Sequence, residues 1–295
     1  MYKLLLAGLF SVAFVACTAT GESEELPPMV NDDLPHVSDK NSTGNEPSSS
    51  SAVSSDSLIQ DLSEYMEMVD IPAVILSHGN VEFSVNAFSI AKTEVTQGLY
   101  REVMGSVAKE DSLGDDYPVF NVSWYDAARF CNAFSKLVGL DTAYVYDSVD
   151  NGGALVNLSV DYGVVSVRLP TEIEWEIAAS AGTSSTYYWG NDEASKYAYY
   201  AQTKGPMMVA QYRPNAYELY DMAGNVAEWV NDWFAALPAV SQTNYTGPVS
   251  GKLKGLRGGG WADKAPALAS TERDKKDPKY RGQTVGFRIV YSEGF

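Results

Sequence analysis

The sequence predicts an α+β domain with little regular secondary structure, and three observations carry that expectation. Residues 68–90 read as short strands interrupted by the turn sequence His78, Gly79, Asn80. Apolar residues recur at helical spacing in only three segments, 96–104, 124–138 and 171–179. The rest is divided by Gly, Asn, Asp and Tyr into pieces too short and irregular for a repeating βαβ layout.

Residues 1–17, MYKLLLAGLFSVAFVAC, place one lysine before an apolar run that ends in small residues and a cysteine. The run is shorter than the roughly 20 residues a bilayer-spanning helix needs, and a polar acidic sequence follows, so it reads as a secretory signal. With Val15 and Ala16 before it, Cys17 resembles the acylated cysteine of a bacterial lipoprotein, which implies a membrane anchor through an N-terminal lipid. Thr18 follows it, and the absence of Asp there points to the outer rather than the inner membrane of the cell envelope. Residues 18–57 are rich in Ser, Pro and acidic side chains and read as a tether. Residues 58–295 are then one globular domain.

A net charge of −17 argues against nucleic acid and against docking on anionic lipid, since both require clustered Lys and Arg. The one cysteine within the domain, Cys131, sits in WYDAARFCNAFSKL and is expected to be a buried thiol on a helix. In RLPTEIEWE, Thr171 is a candidate N-cap with Glu174 three residues on, a capping box that turns Trp175 and Ala178 inward. Arg168, Glu172 and Arg288 are expected to form structural ion pairs.

Seven segments occur in a fixed order: KTEVTQGLY, YPVFNVSWYDAARFC, VRLPTEIEWEIAA, YYWG, PNAYELYDMAGNVAEWVNDW, LRGGGW and VGFRIV. Together they resemble the formylglycine-generating-enzyme, or sulfatase-modifying-factor, family. The resemblance implies a single-domain fold related to C-type lectins. It also implies a structural calcium ion held by Asp221, Gly224, Val226 and Glu228, hard oxygen donors around a glycine turn.

The same resemblance exposes departures. The two catalytic cysteine positions of the family fall on Asp263 and Leu268, Gly260 replaces a serine, and Ala227 replaces a groove tryptophan. Soft thiolates hold the family's Cu(I), so no copper is expected. With His36 and His78 the only histidines, no histidine metal cluster can be assembled either. The expected groove is lined by Asn225, Trp229, Asn231, Asp232, Trp261, Asp263 and Arg273, a mixture suited to an envelope protein, peptide or glycan partner. The leading reading is a non-catalytic binding or assembly module. The alternatives are an oxidoreductase of the same family using Asp263 in a non-thiol chemistry, and a glycan binder.

Overall fold

The strand segments expected in 68–90 pair close to home. In a computed structural model that describes residues 62–107 and 111–295, β1 (Met68–Ile71) runs antiparallel to β4 (Phe88–Ala91), and β2 (Val74–His78) forms a hairpin with β3 (Val81–Val85). Gly79 closes that hairpin at φ 64°, a left-handed conformation that costs glycine little. Residues 1–17, with Cys17, the tether 18–57 and the expected domain start at 58 lie outside the described residues.

The three helices fall where the periodicity places them, each started by a hydroxyl cap. They are α1 (Gln97–Met104), α2 (Trp124–Leu137) and α3 (Glu172–Ser180), capped by Thr96, Ser123 and Thr171. In α3 the Thr171 and Glu174 side chains exchange hydrogen bonds with each other's backbone N–H, and in α2 Ser123 and Asp126 do the same. Every residue of α3 is buried, which is why its sequence shows so weak an amphipathic pattern.

Short strands supply the remainder: β5 (Asp141–Thr142), β6 (Tyr144–Val145), β7 (Ser148–Val149), β8 (Leu155–Val156), β9 (Ser159–Val160), β10 (Ser166–Arg168), β11 (Ala227–Trp233), β12 (Gln242–Thr243), β13 (Lys254–Arg257), β14 (Asp274–Lys276), β15 (Val285–Gly286) and β16 (Val290–Ser292). They build a five-stranded sheet in the order β1-β4-β16-β10-β5, a four-stranded sheet β14-β13-β11-β15, a three-stranded sheet β12-β3-β2 and two small pairs. This is a mixed α+β fold of few helices.

β11 separates two apolar clusters. Successive strand residues face opposite ways, so Trp229 packs with Trp124, Phe130, Phe134 and Phe287, while Val230 packs with Trp175, Met222, Leu268 and Ile90. All ten are essentially solvent-free. Cys131 lies in the first cluster, and burial pushes its thiol up, away from the reactive thiolate.

Candidate functional site

Glycines shape the ground around β11 and β13. Gly224, at φ 85°, bridges to Tyr199, and a Cβ there would collide with the Tyr199 carbonyl. Gly258 and Gly259 follow β13 with φ of 84° and 66°, turning the chain back over the sheet. Gly260 has an ordinary φ but no room: a Cβ would lie 2.7 Å from both the side chain and the carbonyl of Thr284. Glycine at this position is therefore also a packing requirement of this chain, beyond the loss of a family serine.

The turn opens onto a cavity of about 180 Å³ lined by Ala227, Leu256, Arg257, Gly258, Gly259, Asp263, Ala267, Glu272, Arg273 and Asp274. It contains the Ala227 position where the family carries a tryptophan. Asp263 is exposed, and its Oδ2 accepts a hydrogen bond of 2.8 Å from the Gly260 N–H, so the carboxylate holds its own turn. Leu268 is 1% exposed in the core and does not line the cavity. The two thiol positions thus carry an exposed carboxylate and a buried alkyl group, a donor set that does not fit Cu(I).

Of the seven expected groove residues, the cavity gathers Asp263 and Arg273. Trp261 is half-buried and does not line the cavity, its indole donating to the Gln283 carbonyl at 3.0 Å. The other four are also corrections. Trp229 is wholly buried, its indole donating to the Val122 carbonyl. Asn225 is 1% exposed, and its Oδ1 accepts from the Met207 N–H. Asp232 is 1% exposed and accepts from the Glu172 N–H at the start of α3. Asn231 faces a different cavity, on the side of Tyr162 and Lys254. Strand alternation and the register shift in β11 scatter residues that look contiguous in sequence.

Behind the cavity runs a buried ion-pair chain. Arg273 donates to both oxygens of Glu172 at 2.5 Å, Arg257 lies 3.4 Å from Glu172 and 2.6 Å from Glu176, and Glu176 meets His78 Nε2 at 2.6 Å. Arg168 and Glu174 form a separate bidentate pair at 2.7 Å. Arg168, Glu172 and Arg288 are structural ion partners, as their place in an irregular fold predicts. The hydrogen bond that His78 donates to Glu176 raises the His78 pKa, and desolvation only partly opposes it.

The expected calcium loop belongs to a third buried cluster. Glu228 accepts three hydrogen bonds of 2.7 Å, Oε1 from Arg288 Nη2 and Oε2 from Arg288 Nε and the Trp175 indole, so its carboxylate is an ion partner of Arg288. Asp221 Oδ2 accepts from the Ala210 N–H at 2.7 Å. Beside it stands Glu94, fully buried, with Oε2 lacking any partner; burial and the neighbouring Asp221 and Glu228 push its pKa up. Burial raises Asp221 to about 6. Among the described residues no group of three or more His, Cys, Asp or Glu side chains is arranged to hold a metal.

Sequence reading passed over Glu94, Arg257, Glu272 and Asp274. The first sits in the KTEVTQ segment between Thr93 and Val95, which gives no strong signal; Arg257 precedes the glycine turn directly. Among the described residues, no helix is long and apolar enough to cross a membrane.

A family profile described as Sulfatase-modifying factor enzyme 1-like domain matches residues 63–293. The chain is 28% identical over 246 residues to the chaperone protein LppX of Paenibacillus barcinonensis, covering 74% of this chain and 84% of that one. It is 28% identical over 195 residues to the formylglycine-generating enzyme of Mus musculus, covering 59% of this chain and 44% of the enzyme. Among solved structures, Treponema denticola variable protein 1 superposes with a TM-score of 0.69 at 35% identity, covering 76% of this chain and 94% of that one. With the ordered motifs, the fold and the glycine-framed cavity now in place, the chain belongs to the sulfatase-modifying-factor (formylglycine-generating-enzyme) family.

Proposed function

We propose that the domain is a binding or assembly module of the cell envelope that has lost copper–thiol catalysis and uses the cavity beside Ala227 to hold one side chain of a polypeptide partner. The observation that supports this is the chemistry at the two thiol positions, an exposed Asp263 tied to Gly260 and a core Leu268. The cavity's 180 Å³ matches a single large side chain and falls below the roughly 300 Å³ at which small-molecule sites begin. Arg273 beside Glu272, Asp274 and Asp263 gives the rim charges of both signs, which suits a peptide with a polar backbone and a mixed sequence.

A combined copper and peptide-binding measurement tests the reading. The purified protein should bind no stoichiometric Cu(I) and should leave cysteine peptides unoxidised. A peptide ligand selected from a library should lose at least about tenfold in affinity to Ala227→Trp, which fills the cavity. Copper uptake at one equivalent, or thiol oxidation, would overturn it.

The anchoring reading belongs to the same proposal: Cys17 carries the lipid, and residues 18–57 hold the domain off the membrane, with the outer membrane favoured by Thr18. The similarity to LppX supports a lipoprotein of the envelope. Palmitate labelling that disappears in Cys17→Ser checks the anchor; labelling that persists refutes it. We also keep calcium as a proposal, held by Asp221, Glu228 and the backbone of Gly224 and Val226, with the unpartnered Glu94 oxygen nearby. Calcium should raise the melting temperature of the wild type and not of Asp221→Ala; unchanged melting with and without chelator would remove calcium from the account.

A further inference from the structure

A second cavity, of about 370 Å³, lies on the side of β11 to which Asn231 turns. Leu158, Val160, Trp233, Pro248 and Val249 give it apolar walls, and Lys254 reaches it from β13. The placement of that lysine is unusual. Its Nζ is held between the rings of Trp124 and Trp233, 3.9 and 4.0 Å from their centroids, and donates one hydrogen bond, of 2.7 Å, to the Asn231 carbonyl. Among the described residues it forms no ion pair.

The charged group that acts on it is Asp232, and Asp232 is itself fully buried with Oδ1 unpartnered. That oxygen borders Gly247, whose missing Cβ would stand 3.1 Å from it, and Gly247 is part of the cavity wall. Burial, with Glu172 nearby, pushes Asp232 up to about 8, so near neutral pH it mostly keeps its proton and offers Lys254 little compensating charge. Lys254 is in turn pushed down to about 7 by burial. A buried lysine serving only structure would be expected to have a carboxylate partner; this one has ring faces, a carbonyl and an opening.

The same cavity holds an acid. Tyr162 accepts a 2.7 Å hydrogen bond from Asn231 Nδ2, which leaves its own O–H proton uncommitted, and burial raises its pKa, keeping that proton in place. Asn231 therefore ties amine and phenol to one residue, its carbonyl on Lys254 and its amide on Tyr162.

We propose that this cavity is a carbonyl-binding site, in which the Lys254 amine condenses with a small aldehyde or ketone bearing an apolar tail. The amine nitrogen attacks the carbonyl carbon, and the carbinolamine oxygen takes a proton through Tyr162. The phenolate regains that proton from the nitrogen and delivers it again to the oxygen; the C–O bond then breaks, water leaves as the C=N bond forms, and the nitrogen's last proton restores the phenol. No electrons are transferred, and the aldehyde and the released water complete the balance. The apolar walls hold the tail and limit hydrolysis of the imine.

Hexanal with sodium cyanoborohydride, applied to the full chain near pH 7, reads this directly because reduction fixes any imine for peptide mapping. An ordinary lysine near 10.4 is neutral at that pH in fewer than about one molecule in a thousand, so Lys254 should be modified on the order of 100-fold faster than the exposed Lys252 two residues away. The preference should fall steeply toward pH 5, and Tyr162→Phe should slow modification at Lys254 by about tenfold while leaving Lys252 unchanged. Modification confined to exposed lysines in the folded protein, with Lys254 reacting only after unfolding in urea, would overturn the proposal. Because the readout is the wild-type lysine itself, failure of a Lys254 variant to fold would not obscure the result.

Discussion

Glu228→Gln separates two roles for the most deeply buried carboxylate of the family motif. In the structure Glu228 is 0% exposed and accepts three hydrogen bonds of 2.7 Å, two from Arg288 and one from the Trp175 indole. Arg288, also 0% exposed, donates further to the carbonyls of Ala91 and Tyr220, so it cannot leave for solvent when its partner changes. Glutamine keeps the shape and one acceptor but removes the charge and presents an NH₂ to a guanidinium. Breaking one side of a buried pair costs about 3–5 kcal/mol, a large share of the roughly 5–15 kcal/mol that holds a domain folded. Urea unfolding followed by tryptophan fluorescence should show this loss equally in calcium and in chelator, because the interaction lost is with Arg288. Arg288→Met should cost a similar amount, and the double variant should cost less than the sum of the two. A Glu228→Gln loss below about 1 kcal/mol, or one that appears only in calcium, would refute the ion-pair assignment.

Three further outcomes follow from named contacts. Gly260→Ser, which restores the family residue, should destabilise the domain by about 1–3 kcal/mol in thermal unfolding, because its Cβ meets Thr284 at 2.7 Å; a neutral result would mean that Thr284 yields freely. The His78 pKa is raised by Glu176, so the stability contributed by this pair is fully present below the unfolded value near 6.5. It is lost as the pH rises through the higher folded value, and His78→Gln should flatten that part of the urea-midpoint profile; a parallel profile refutes the coupling. Asp232, raised to about 8, binds its proton more tightly folded than unfolded, so the wild type should lose stability as pH climbs from about 4 toward 7. Asp232→Asn should remove that slope while its amide oxygen keeps the bond from the Glu172 N–H, and a slope that survives the substitution would place the titration elsewhere.

How much was legible in the sequence depended on the range of the interactions involved. Local chemistry could be read directly: the Thr171–Glu174 capping box and the three helices depend on neighbours three or four residues apart. The ion partners were legible as a class, since Arg168, Glu172 and Arg288 are charges set among apolar residues. Their pairing was not, because Glu228–Arg288 and Glu176–Arg257 close over 60 and 81 residues. The groove was misread for a geometric reason. Trp229 and Trp261 both belong to aromatic motifs, yet the first points into the core between α2 and β11 and only the second stays partly exposed.

Lys254 shows where a sequence signal existed and could have been used. It shares strand parity with Leu256, whereas the exposed Lys252 lies before the strand begins, so a lysine at an inward position was visible in KLKGLR. Its companions were not visible: Trp124 lies on α2 and Asn231 on β11, 130 and 23 residues away. The family motifs describe a scaffold whose thiol positions have been reassigned, Asp263 to a turn and Leu268 to the core. Lys254 lines a cavity that neither Asp263 nor Leu268 lines, and Asp232 borders Gly247 in its wall. The two cavities are lined by different residues, so the aldehyde experiment can succeed even if the polypeptide-binding reading fails.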